Sequence, residues 1–437
     1  MNYTETLDYL FAKLPMFSRL GAAAYKKDLT NTIRLCEALG NPQQQFKSIH
    51  IAGTNGKGST SHMLAAILQT GGYKTGLYTS PHLKDFRERI KVDGAMCSEE
   101  FVVRFTKRIK PLIETIEPSF FEITVAMAFT WFAEQHVDIA VIETGLGGRL
   151  DSTNIIEPEL SIITNIGWDH MNMLGNSLAE IAAEKAGIIK KNIPVVIGEW
   201  LPETKPVFEK QYATVNNDVD TVPPFVSASE ERWVSDWQYE HQLLEVTVAH
   251  HLSDDRHTYR LDLTGIYQLK NLLTVLAATH ELEKKGWNCN TSIVQKALLH
   301  VKKKTGLHGR WELIHQHPSV ILDVGHNADG IKAIRQQLEH CSYQHLHIII
   351  GMVKDKDIDA VLALLPKHAS YHFTQAQIPR ALNAMSLQQK AASFGLKGNV
   401  YADVNIALKE VMAKADPNDL ILICGSVFLV GEVIISE

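Results

Sequence analysis

The chain has 437 residues, of which 45% are hydrophobic and 21% are charged, and its formal net charge at pH 7 is −6. This length favours two domains, and the composition is typical of a globular protein with a full hydrophobic core. Nucleic-acid-binding proteins usually carry a basic face, and because the sequence has no long Lys/Arg stripe we expect no nucleic-acid partner. We also expect no membrane partner, because no apolar run reaches the ~18 residues that a spanning helix needs.

The cysteines and the first residues of the chain indicate the compartment. The cysteines are scattered and form no CxxC pair, so a disulfide framework or a thiolate zinc site is not expected. Residues 1–17 contain acidic side chains and lack the basic-then-apolar order of a secretion signal. A reducing environment fits this pattern best, and we expect a cytoplasmic protein.

Apolar spacing along the first 200 residues predicts strands that alternate with helices. Strands are predicted at 47–52, 73–79, 137–143, 160–164 and 193–197, and helices at 57–70, 98–116, 120–135 and 177–190. Such alternation predicts a parallel sheet that is covered on both faces. Residues 200–265 are more polar, and 242–248 and 257–263 have a period of two, which predicts a small antiparallel excursion on the sheet of the first domain.

The second half of the chain contains a second alternation. After predicted helices at 268–286 and 290–300, the basic, glycine-containing stretch 301–309 is interpreted as a linker. Further strands are predicted at 319–323, 345–350, 369–374 and 419–424, with helices between them. The predicted fold is therefore α/β, with a large, doubly wound, mostly parallel sheet in residues 1–300 and a smaller Rossmann-like α/β domain in residues 310–437.

A glycine-rich loop lies between the first predicted strand and the helix that follows it. Its residues are Gly53, Thr54, Asn55, Gly56, Lys57, Gly58, Ser59 and Thr60. Glycines allow backbone N–H groups to point at phosphate oxygens, and the start of a helix adds partial positive charge. Lys57 would reach the terminal phosphates of ATP, and a hydroxyl of Ser59 or Thr60 would face the nucleotide or its metal. These features predict a P-loop, although Ile51 occupies the position of the first glycine in the usual pattern and Gly58 separates Lys57 from the hydroxyls.

Several side chains at the carboxyl ends of predicted strands are candidate ligands of a metal. Glu143 ends a buried strand beside a glycine cluster and could hold Mg²⁺ against ATP phosphates, or it could simply be solvated. His170 and Ser80 follow two other strands; a histidine there is structural as often as it is a ligand, and a serine hydroxyl is a weak ligand. Lys185 falls inside a helix, where spacing alone predicts a solvated surface charge.

The second predicted domain has candidates of its own. Arg310 follows the linker, and Asp323 and His326 lie at and just after the end of a strand. Such groups could contact a nucleotide, but ordinary salt bridges would explain each of them equally well.

Ten segments of the chain, taken in order, resemble the folylpolyglutamate synthase and dihydrofolate synthase family, a branch of the Mur ligase superfamily. The segments are GTNGKGST (53–60), TSPHL (79–83), FFE (120–122), ETGLGGRLDSTN (143–154), DHMNMLG (169–175), EKAGII (184–189), HGRWE (308–312), DVGHN (323–327), GMVKDKD (351–357) and CGS (424–426). Each segment alone is a weak match, whereas the ordered set covers nearly the whole chain. It also separates this branch from the muramyl-peptide ligases.

The resemblance implies a role for each candidate. Loop residues Gly53 to Thr60 would hold the ATP phosphates, with nucleotide contacts also from Asn271, Arg310, Asp323 and His326. Two magnesium ions would be held by Ser80, Glu143, His170 and Lys185. Lys185 matches the lysine that the family carbamylates, and an N-carboxylysine would offer Mg²⁺ a carboxylate in place of an ammonium group. The expected catalytic residues are Lys57, Glu143, His170 and Lys185.

The resemblance also implies substrates and a reaction. The pterin side would be built from the loop near Arg19 to Ala24, with substrate contacts from His82, Phe121, Glu122, Arg149 and Asp151. The reaction would be ATP- and Mg²⁺-dependent addition of L-glutamate to a reduced folate, and also to dihydropteroate, through an acyl phosphate. The family implies a monomer. Three alternatives remain open: a Mur-type amide ligase acting on another carboxylate, a non-catalytic P-loop nucleotide switch, and a simple kinase or ATPase that does not require glutamate.

Overall fold

The computed structural model describes residues 1–13, 28–251 and 255–434. These residues divide into two compact units. The first comprises Met1–Asp262 and Gln268–Leu307, and the second comprises Leu263–Tyr267 and the residues from His308 onward. The short segment Leu263–Tyr267 thus belongs to a different unit from the residues on either side of it.

The described residues form strands and helices that are numbered in chain order. Strands β1 to β17 span Lys47–Ala52, Thr75–Tyr78, Ile90–Val92, Ala95–Met96, Ile139–Glu143, Leu160–Ile163, Val195–Ile197, Phe225–Ser227, Arg232–Glu240, Leu243–His250, Arg256–Leu261, Glu312–Gln316, Ser319–Leu322, Leu346–Ile350, Ser370–Phe373, Gly398–Val400 and Leu420–Cys424. Helices α1 to α17 span Tyr3–Lys13, Thr30–Ala38, Lys57–Thr70, Glu99–Ile116, Phe120–Glu134, Met171–Leu174, Leu178–Ala186, Lys205–Val215, Ala228–Glu231, Gln268–Lys284, Thr291–Leu298, Val301–Thr305, Ala328–Leu338, Ile358–Leu364, Ala384–Ser393, Val404–Met412 and Val427–Gly431. None of these helices combines the length and the apolar character that crossing a membrane requires.

The first unit is built on a sheet with the strand order β4-β3-β2-β5-β1-β6-β7-β8. From β2 to β8 in this order the strands are parallel, whereas β3 and β4 add an antiparallel edge beside β2. Strand β1 is central, where Ile51 pairs with Glu143 on one side and with Ile162 on the other. Every residue of β5 is buried, as expected for a parallel strand covered on both faces. The predicted mostly parallel sheet is confirmed, but the short antiparallel edge was not predicted.

Helices of the first unit follow from caps and apolar spacing. Helix α4 begins after Ser98, whose hydroxyl accepts a hydrogen bond from the N–H of Phe101 at 3.1 Å. The helix then buries Phe101, Phe105 and Ile109, which recur at the spacing of one helix face. These side chains join a core cluster that includes Ile142 of β5, so α4 is held on the sheet by hydrophobic burial.

The polar stretch after residue 200 differs in detail from its prediction. Strand β8 extends the main sheet in parallel, and β9, β10 and β11 form a separate antiparallel sheet, so the antiparallel strands do not lie on the first sheet. Helix α8 also lies in this stretch and was not predicted. A period of two identifies a strand with one buried face, as Leu244 and Val246 show in β10, but it does not identify the sheet that the strand joins.

The second unit contains a sheet with the order β12-β13-β17-β14-β15-β16. All neighbouring strands are parallel except β12 and β13. Insertion of β17 between β13 and β14 brings the carboxyl ends of these three strands side by side. The Rossmann-like α/β fold is confirmed for this unit, while the exposed edge strands β12 and β16 were not predicted.

Candidate active site

The glycine-rich loop connects β1 to α3, which begins at Lys57. Gly53 has a φ of +151°, and a Cβ there would lie 1.8 Å from the hydroxyl oxygen of Thr164. Gly56 has a φ of +84°, and a Cβ there would lie 2.3 Å from Oδ1 of Asn271. Only glycine fits both positions, because a side chain would meet these neighbours and would strain the backbone. Gly58 lies in the first turn of α3, as predicted for a helix that starts at a phosphate loop.

The segment after β6 holds this loop in shape. The N–H groups of Thr54 and Asn55 donate to the backbone oxygen and to Oδ1 of Asn165, at 3.0 and 2.9 Å. The hydroxyl of Thr164 donates to the backbone oxygen of Asn55 at 2.6 Å, and that of Thr54 bridges both backbone groups of Gly167. Thr164 and Asn165 therefore shape the loop, and neither residue was among the predicted site residues. The only sequence signal is the change from apolar to polar residues where β6 ends.

Two lysine side chains converge on one backbone oxygen of the loop. Nζ of Lys57 donates to the oxygen of Gly53 at 3.0 Å and to that of Thr54 at 3.4 Å. Nζ of Lys185, in α7, donates to the same Gly53 oxygen at 2.8 Å. The side chain of Lys185 is only 4% exposed, so it is not the solvated surface charge that helical spacing alone predicts. Two ammonium groups thus lie where a bound anion would be attracted.

Glu143 ends β5 beside this loop and is buried, which removes the interpretation of a solvated carboxylate. The guanidinium of Arg89, a second buried charged group, interacts electrostatically with the carboxylate of Glu143. Burial lowers the pKa of the Arg89 guanidinium, and the Tyr78 hydroxyl, the Glu88 carboxylate and the Glu143 carboxylate oppose that shift. The guanidinium also lies over the ring of Phe120, 5.5 Å from its centroid. Arg89 was not among the predicted site residues, because an arginine beside acidic residues in the sequence usually forms a surface ion pair.

Ser80 and His82 follow β2, and His170 follows β6. Nδ1 of His82 accepts a hydrogen bond from Nε of Arg89 at 2.8 Å, so the imidazole is neutral. Burial and the Arg89 charge lower the pKa of His82 to about 3. The backbone N–H of His170 donates to Oδ1 of Asp169 at 2.9 Å, and its ring Nε2 lies 3.7 Å from Oδ2 of the same residue. Ser80 is half-buried at the end of its strand.

Within the described part of the chain, no group of three or more His, Cys, Asp or Glu side chains could hold a metal by itself. Magnesium keeps several waters and takes most of its other ligands from phosphates, so a site for it needs few protein ligands. The carboxylate of Glu143 and the hydroxyl of Ser80 offer the oxygen ligands that magnesium prefers. These residues therefore fit an ion that arrives with its nucleotide.

Asp151 organises the loop after Glu143. Its Oδ2 accepts from the N–H groups of Gly145 and Leu146, at 2.9 and 2.8 Å. Its Oδ1 accepts from the backbone N–H and the hydroxyl of Thr153. Burial raises the pKa of this carboxyl, while these four hydrogen bonds act in the opposite direction. Both oxygens are engaged within the protein, so Asp151 shapes the loop, and its predicted substrate contact stays a prediction.

The other predicted substrate contacts lie around the same loop. The ring of Phe121 packs on Gly145, since a Cβ there would lie 2.4 Å from Cζ of the ring. Arg149 is half-exposed and pairs with Glu184 at 2.7 Å. The carboxylate of Glu122 accepts from the N–H of Ser119 in a capping box at the start of α5, and it is 2% exposed. The geometry thus gives Glu122 a structural task, and its predicted substrate contact stays a prediction. The predicted loop Arg19 to Ala24 lies outside the described residues.

A buried chain of amides lies under the phosphate loop. Nε2 of Gln268 donates to the hydroxyl oxygen of Ser59 at 3.1 Å, and Nδ2 of Asn271 donates to Oε1 of Gln268 at 2.7 Å. All three residues are buried. Because Ser59 accepts from Gln268, its own proton is directed elsewhere. The hydroxyl of Thr60 is buried without a hydrogen-bond partner in the described structure, so of the two candidate hydroxyls only that of Ser59 is joined to a network.

In the second unit, Asp323 follows β13 and is 3% exposed. Its Oδ2 accepts from the hydroxyl of Tyr267 at 2.7 Å and from the N–H of Trp311 at 2.9 Å, and its Oδ1 accepts from the N–H of Gly325 at 2.8 Å. Burial raises the pKa of the Asp323 carboxyl, whereas these donors and the charge of Arg310 lower it. Nδ1 of His326 donates to the backbone oxygen of Val324 at 2.9 Å, so this nitrogen carries a proton and the hydrogen bond orients the ring.

Backbone atoms of the loops that follow β13, β14 and β17 lie in close contact. The N–H of Gly425 donates to the oxygen of Gly325 at 3.0 Å. Gly425 has a φ of +100°, and a Cβ there would lie 2.7 Å from the backbone oxygen of Gly351. The close approach explains why glycine occupies this position, at the edge where ligands bind open α/β sheets.

Both parts of the chain match models of the Mur ligase family: the Mur ligase middle domain over residues 51–279, and the Mur ligase, glutamate ligase domain over residues 309–427. The dihydrofolate synthase/folylpolyglutamate synthase of Bacillus subtilis is 34% identical over 421 residues, which cover 93% of this chain and 94% of that protein. The folylpolyglutamate synthase of Lacticaseibacillus casei is 32% identical over 449 residues, covering 99% and 98%.

Solved structures show the same similarity. Folylpolyglutamate synthase from Mycobacterium tuberculosis, complexed with ADP and AMPPCP, has a TM-score of 0.84 and 30% identity, and the match covers 98% of each chain. Escherichia coli FolC in complex with DHPP and ADP has a TM-score of 0.82 and 26% identity, with 99% of this chain and 96% of that chain covered. The chain therefore belongs to the folylpolyglutamate synthase and dihydrofolate synthase family of Mur ligases, and it is an ATP-dependent ligase.

Proposed function

We propose that this chain forms an amide bond between L-glutamate and a folate carboxylate, and that it also joins L-glutamate to dihydropteroate. The observation that carries the proposal is the convergence of Lys57 and Lys185 on the oxygen of Gly53, beside the buried Glu143. This arrangement suits the phosphates of ATP. The names of the relatives, which describe both synthase activities, support the choice of substrates.

The first chemical step follows from the nature of a carboxylate. It is a poor electrophile, so the γ-phosphoryl group of ATP must first be transferred to it to give an acyl phosphate. Such a transfer needs positioning and charge neutralisation more than covalent help. The side chain of Lys57 would leave the oxygens of Gly53 and Thr54 and bind the terminal phosphates. The N–H groups of the loop and the start of α3 would bind the phosphate oxygens.

Magnesium, when bound with the nucleotide, would neutralise phosphate charge and polarise the transferred group. We propose Ser80, Glu143, His170 and a modified Lys185 as its protein ligands. The modification would be an N-carboxylysine: Nζ bonds to the carbon of CO₂, and the original ammonium group loses two protons. The product keeps one N–H, which can still donate to the Gly53 oxygen, while its new carboxylate becomes an oxygen ligand. The burial of Lys185 supports this proposal, because a buried ammonium group is unfavourable beside a metal cation.

The second step would be attack of the amino group of L-glutamate on the acyl phosphate, which releases phosphate and forms the amide. The pterin side of the substrate would bind to the ring of Phe121, which packs on Gly145. Arg149, after β5, and His82, after β2, would also contact it. Arg310, Asp323 and His326 would contact the nucleotide. We further propose that the nucleotide-binding domain spans 1–300, that 301–309 is the linker, and that the chain acts as a monomer.

The experiment that tests the function is coupled ADP release with ATP, Mg²⁺ and L-glutamate, comparing dihydropteroate with a reduced folate monoglutamate. Activity with both substrates would establish a bifunctional enzyme, and activity with the folate alone would establish a dedicated polyglutamate synthase. Nucleotide binding without ADP release for either substrate would contradict the proposal. It would favour a Mur-type ligase of another carboxylate or a nucleotide switch.

A further inference from the structure

A buried chain of hydrogen bonds runs from the middle of β1 to the loop after β5. His50 of β1 is completely buried, and its Nε2 lies 2.9 Å from the hydroxyl oxygen of Thr153. The same hydroxyl contacts Oδ1 of Asp151. Neither His50 nor Thr153 belongs to any of the predicted site residues, so nothing in the proposed mechanism accounts for this chain.

The direction of each hydrogen bond in the chain is determined. Each oxygen of Asp151 already accepts from a backbone N–H, and four donors in total converge on this group, so it acts as an acceptor. The single proton of the Thr153 hydroxyl therefore goes to Asp151. It follows that Nε2 of His50 carries a proton and donates it to Thr153.

The other ring nitrogen shows that packing alone does not explain His50. Nδ1 is buried and has no hydrogen-bond partner in the described structure. Lys190, whose Nζ donates to the backbone oxygen of Asn154 at 3.0 Å, places a positive charge near the ring, which further opposes an imidazolium. A leucine would fill the same space without an unsatisfied nitrogen. The feature that distinguishes histidine here is the hydrogen bond that it donates.

The far end of the chain lies at the candidate active site. Asp151 holds the N–H groups of Gly145 and Leu146, which are separated from the buried Glu143 only by Thr144. Gly145 is also the residue on which the ring of Phe121 packs. A displacement of Asp151 would therefore move the backbone on which the folate is proposed to bind.

We infer that His50 is a positioning residue, which sets the Gly145–Leu146 loop through Thr153 and Asp151 and thereby places the folate substrate. The inference rests on the proposed function for its substrate, and on the hydrogen-bond chain for its geometry. His50 touches no reacting atom; it fixes the rotamer of Thr153, and Thr153 in turn fixes the carboxylate that holds the loop.

The test compares His50→Leu, which removes the donor, with His50→Gln, whose Nε2 can still donate to Thr153. In His50→Leu we expect the KM for the folate substrate to rise about fivefold to tenfold, as for loss of one hydrogen bond, with the KM for ATP within about twofold of wild type. His50→Gln should stay within about twofold for both substrates. Equal losses in the two variants, or an equal rise in the KM for ATP, would overturn the inference.

Two further measurements separate positioning from core packing and do not depend on the substrate. Hydrogen–deuterium exchange should be faster at the amides of Gly145 and Leu146 in His50→Leu and unchanged in His50→Gln. The thermal midpoint of His50→Leu at pH 7 should equal or exceed that of wild type, because an unsatisfied nitrogen is removed. Unchanged exchange at these amides in His50→Leu would overturn the inference even in a fully active enzyme. If wild type shows no folate-dependent ADP release, the proposed function fails, and the exchange result still decides the role of His50.

Thr153→Val provides an independent variant, because it removes the hydroxyl with little change of shape. We expect it to reproduce the KM and exchange changes of His50→Leu. The double variant His50→Leu/Thr153→Val should be no worse than Thr153→Val alone, since His50 then has no hydroxyl to orient. Additive effects of the two substitutions would contradict a single chain.

Discussion

The loop after β1 in the first unit and the loop after β13 in the second unit both end a parallel strand, and both keep a charged side chain out of solvent. In the first, the ammonium group of Lys185 is held by the backbone oxygen of Gly53. In the second, the carboxylate of Asp323 is held by two backbone N–H groups and the hydroxyl of Tyr267. The loop at the carboxyl end of a parallel strand is therefore in contact with cationic side chains in the first unit and with an anionic side chain in the second.

The two loops also differ in how firmly they hold their charge. The long side chain of Lys57 is half-buried and donates hydrogen bonds to backbone oxygens. Phosphate oxygens can replace those acceptors without a change in backbone conformation. Asp323 accepts three hydrogen bonds, two from backbone N–H groups and one from the hydroxyl of the partly buried Tyr267. We therefore expect the first loop to serve the step in which phosphate charge changes, and the second to serve only binding of the nucleotide.

The largest effect is expected for Lys57→Ala. Removal of the ammonium group should lower kcat by about 10²–10³-fold, the range seen when one preorganised charge-stabilising donor is lost. The thermal midpoint should change little, because Lys57 contacts only two backbone oxygens. Coupled ADP release measures the rate. Lys47→Ala, at the exposed start of β1, is the matched control. Wild-type-like ligation by Lys57→Ala would contradict the assignment of the loop.

Lys185→Gln is expected to have a similar or slightly smaller effect. Glutamine can still donate to the Gly53 oxygen, but it supplies neither an ammonium group nor a carbamate, so kcat should fall about 10²-fold or more. Because burying an ammonium group is unfavourable, the variant should be no less stable than wild type.

Two comparisons make the Lys185 result specific. Lys191→Gln, which removes an exposed lysine paired with Asp218, should behave as wild type. Bicarbonate should raise the activity of wild type and leave that of Lys185→Gln unchanged. Full activity of Lys185→Gln would show that the modification is not needed.

Asp323→Asn tests the other loop and should affect a different parameter. The amide loses one acceptor and places an N–H₂ group against existing donors, so we expect a loss of about 1–3 kcal/mol in the free energy of unfolding. The KM for ATP should rise while kcat stays within about threefold of wild type. Urea denaturation and ATP titrations measure the two quantities. If Asp323→Asn lowered kcat as strongly as Lys57→Ala, the two loops would serve the same step and the contrast between them would fail.

The parts of this site that could be predicted are those whose signal is local in sequence. The phosphate loop is one example, because glycines, Lys57 and the start of α3 follow one another directly. Glu143 is another, since a carboxylate after an apolar strand lies at the ligand-binding edge of a parallel sheet. The sheets were predicted for the same reason, and the strands that were missed are short or lie at exposed edges, such as β4 and β12.

The rest depends on contacts between distant residues. Helical spacing predicts a surface position for Lys185, because the spacing does not show that α7 lies against the Gly53 loop. The sequence also does not show that four donors converge on Asp151, whose predicted substrate contact stays a prediction. Gln268 was missed for a related reason: its partner Ser59 is 209 positions away in the chain. Residue type indicated chemistry in each case, and only the fold shows whether a group faces a ligand or another part of the protein.

The smallest effect at neutral pH, and a growing one in acid, is expected for His50→Leu. Burial, aided by the charge of Lys190, lowers the pKa of His50 to about 3, against an unperturbed value of about 6.5 in the unfolded chain. Below pH 6.5 the unfolded state therefore binds a proton that the folded state does not, so the free energy of unfolding falls as the pH falls. This contribution should reach about 2 kcal/mol at pH 5 and should be absent from His50→Leu.

The difference in the free energy of unfolding between wild type and His50→Leu, measured by urea denaturation, should thus grow from pH 7 to pH 5. The other histidines, including His82, contribute equally to both proteins. A constant difference across this range would show that His50 takes up its proton over the same pH range in the folded and the unfolded states, which would contradict a ring whose charged form is disfavoured by burial and by Lys190.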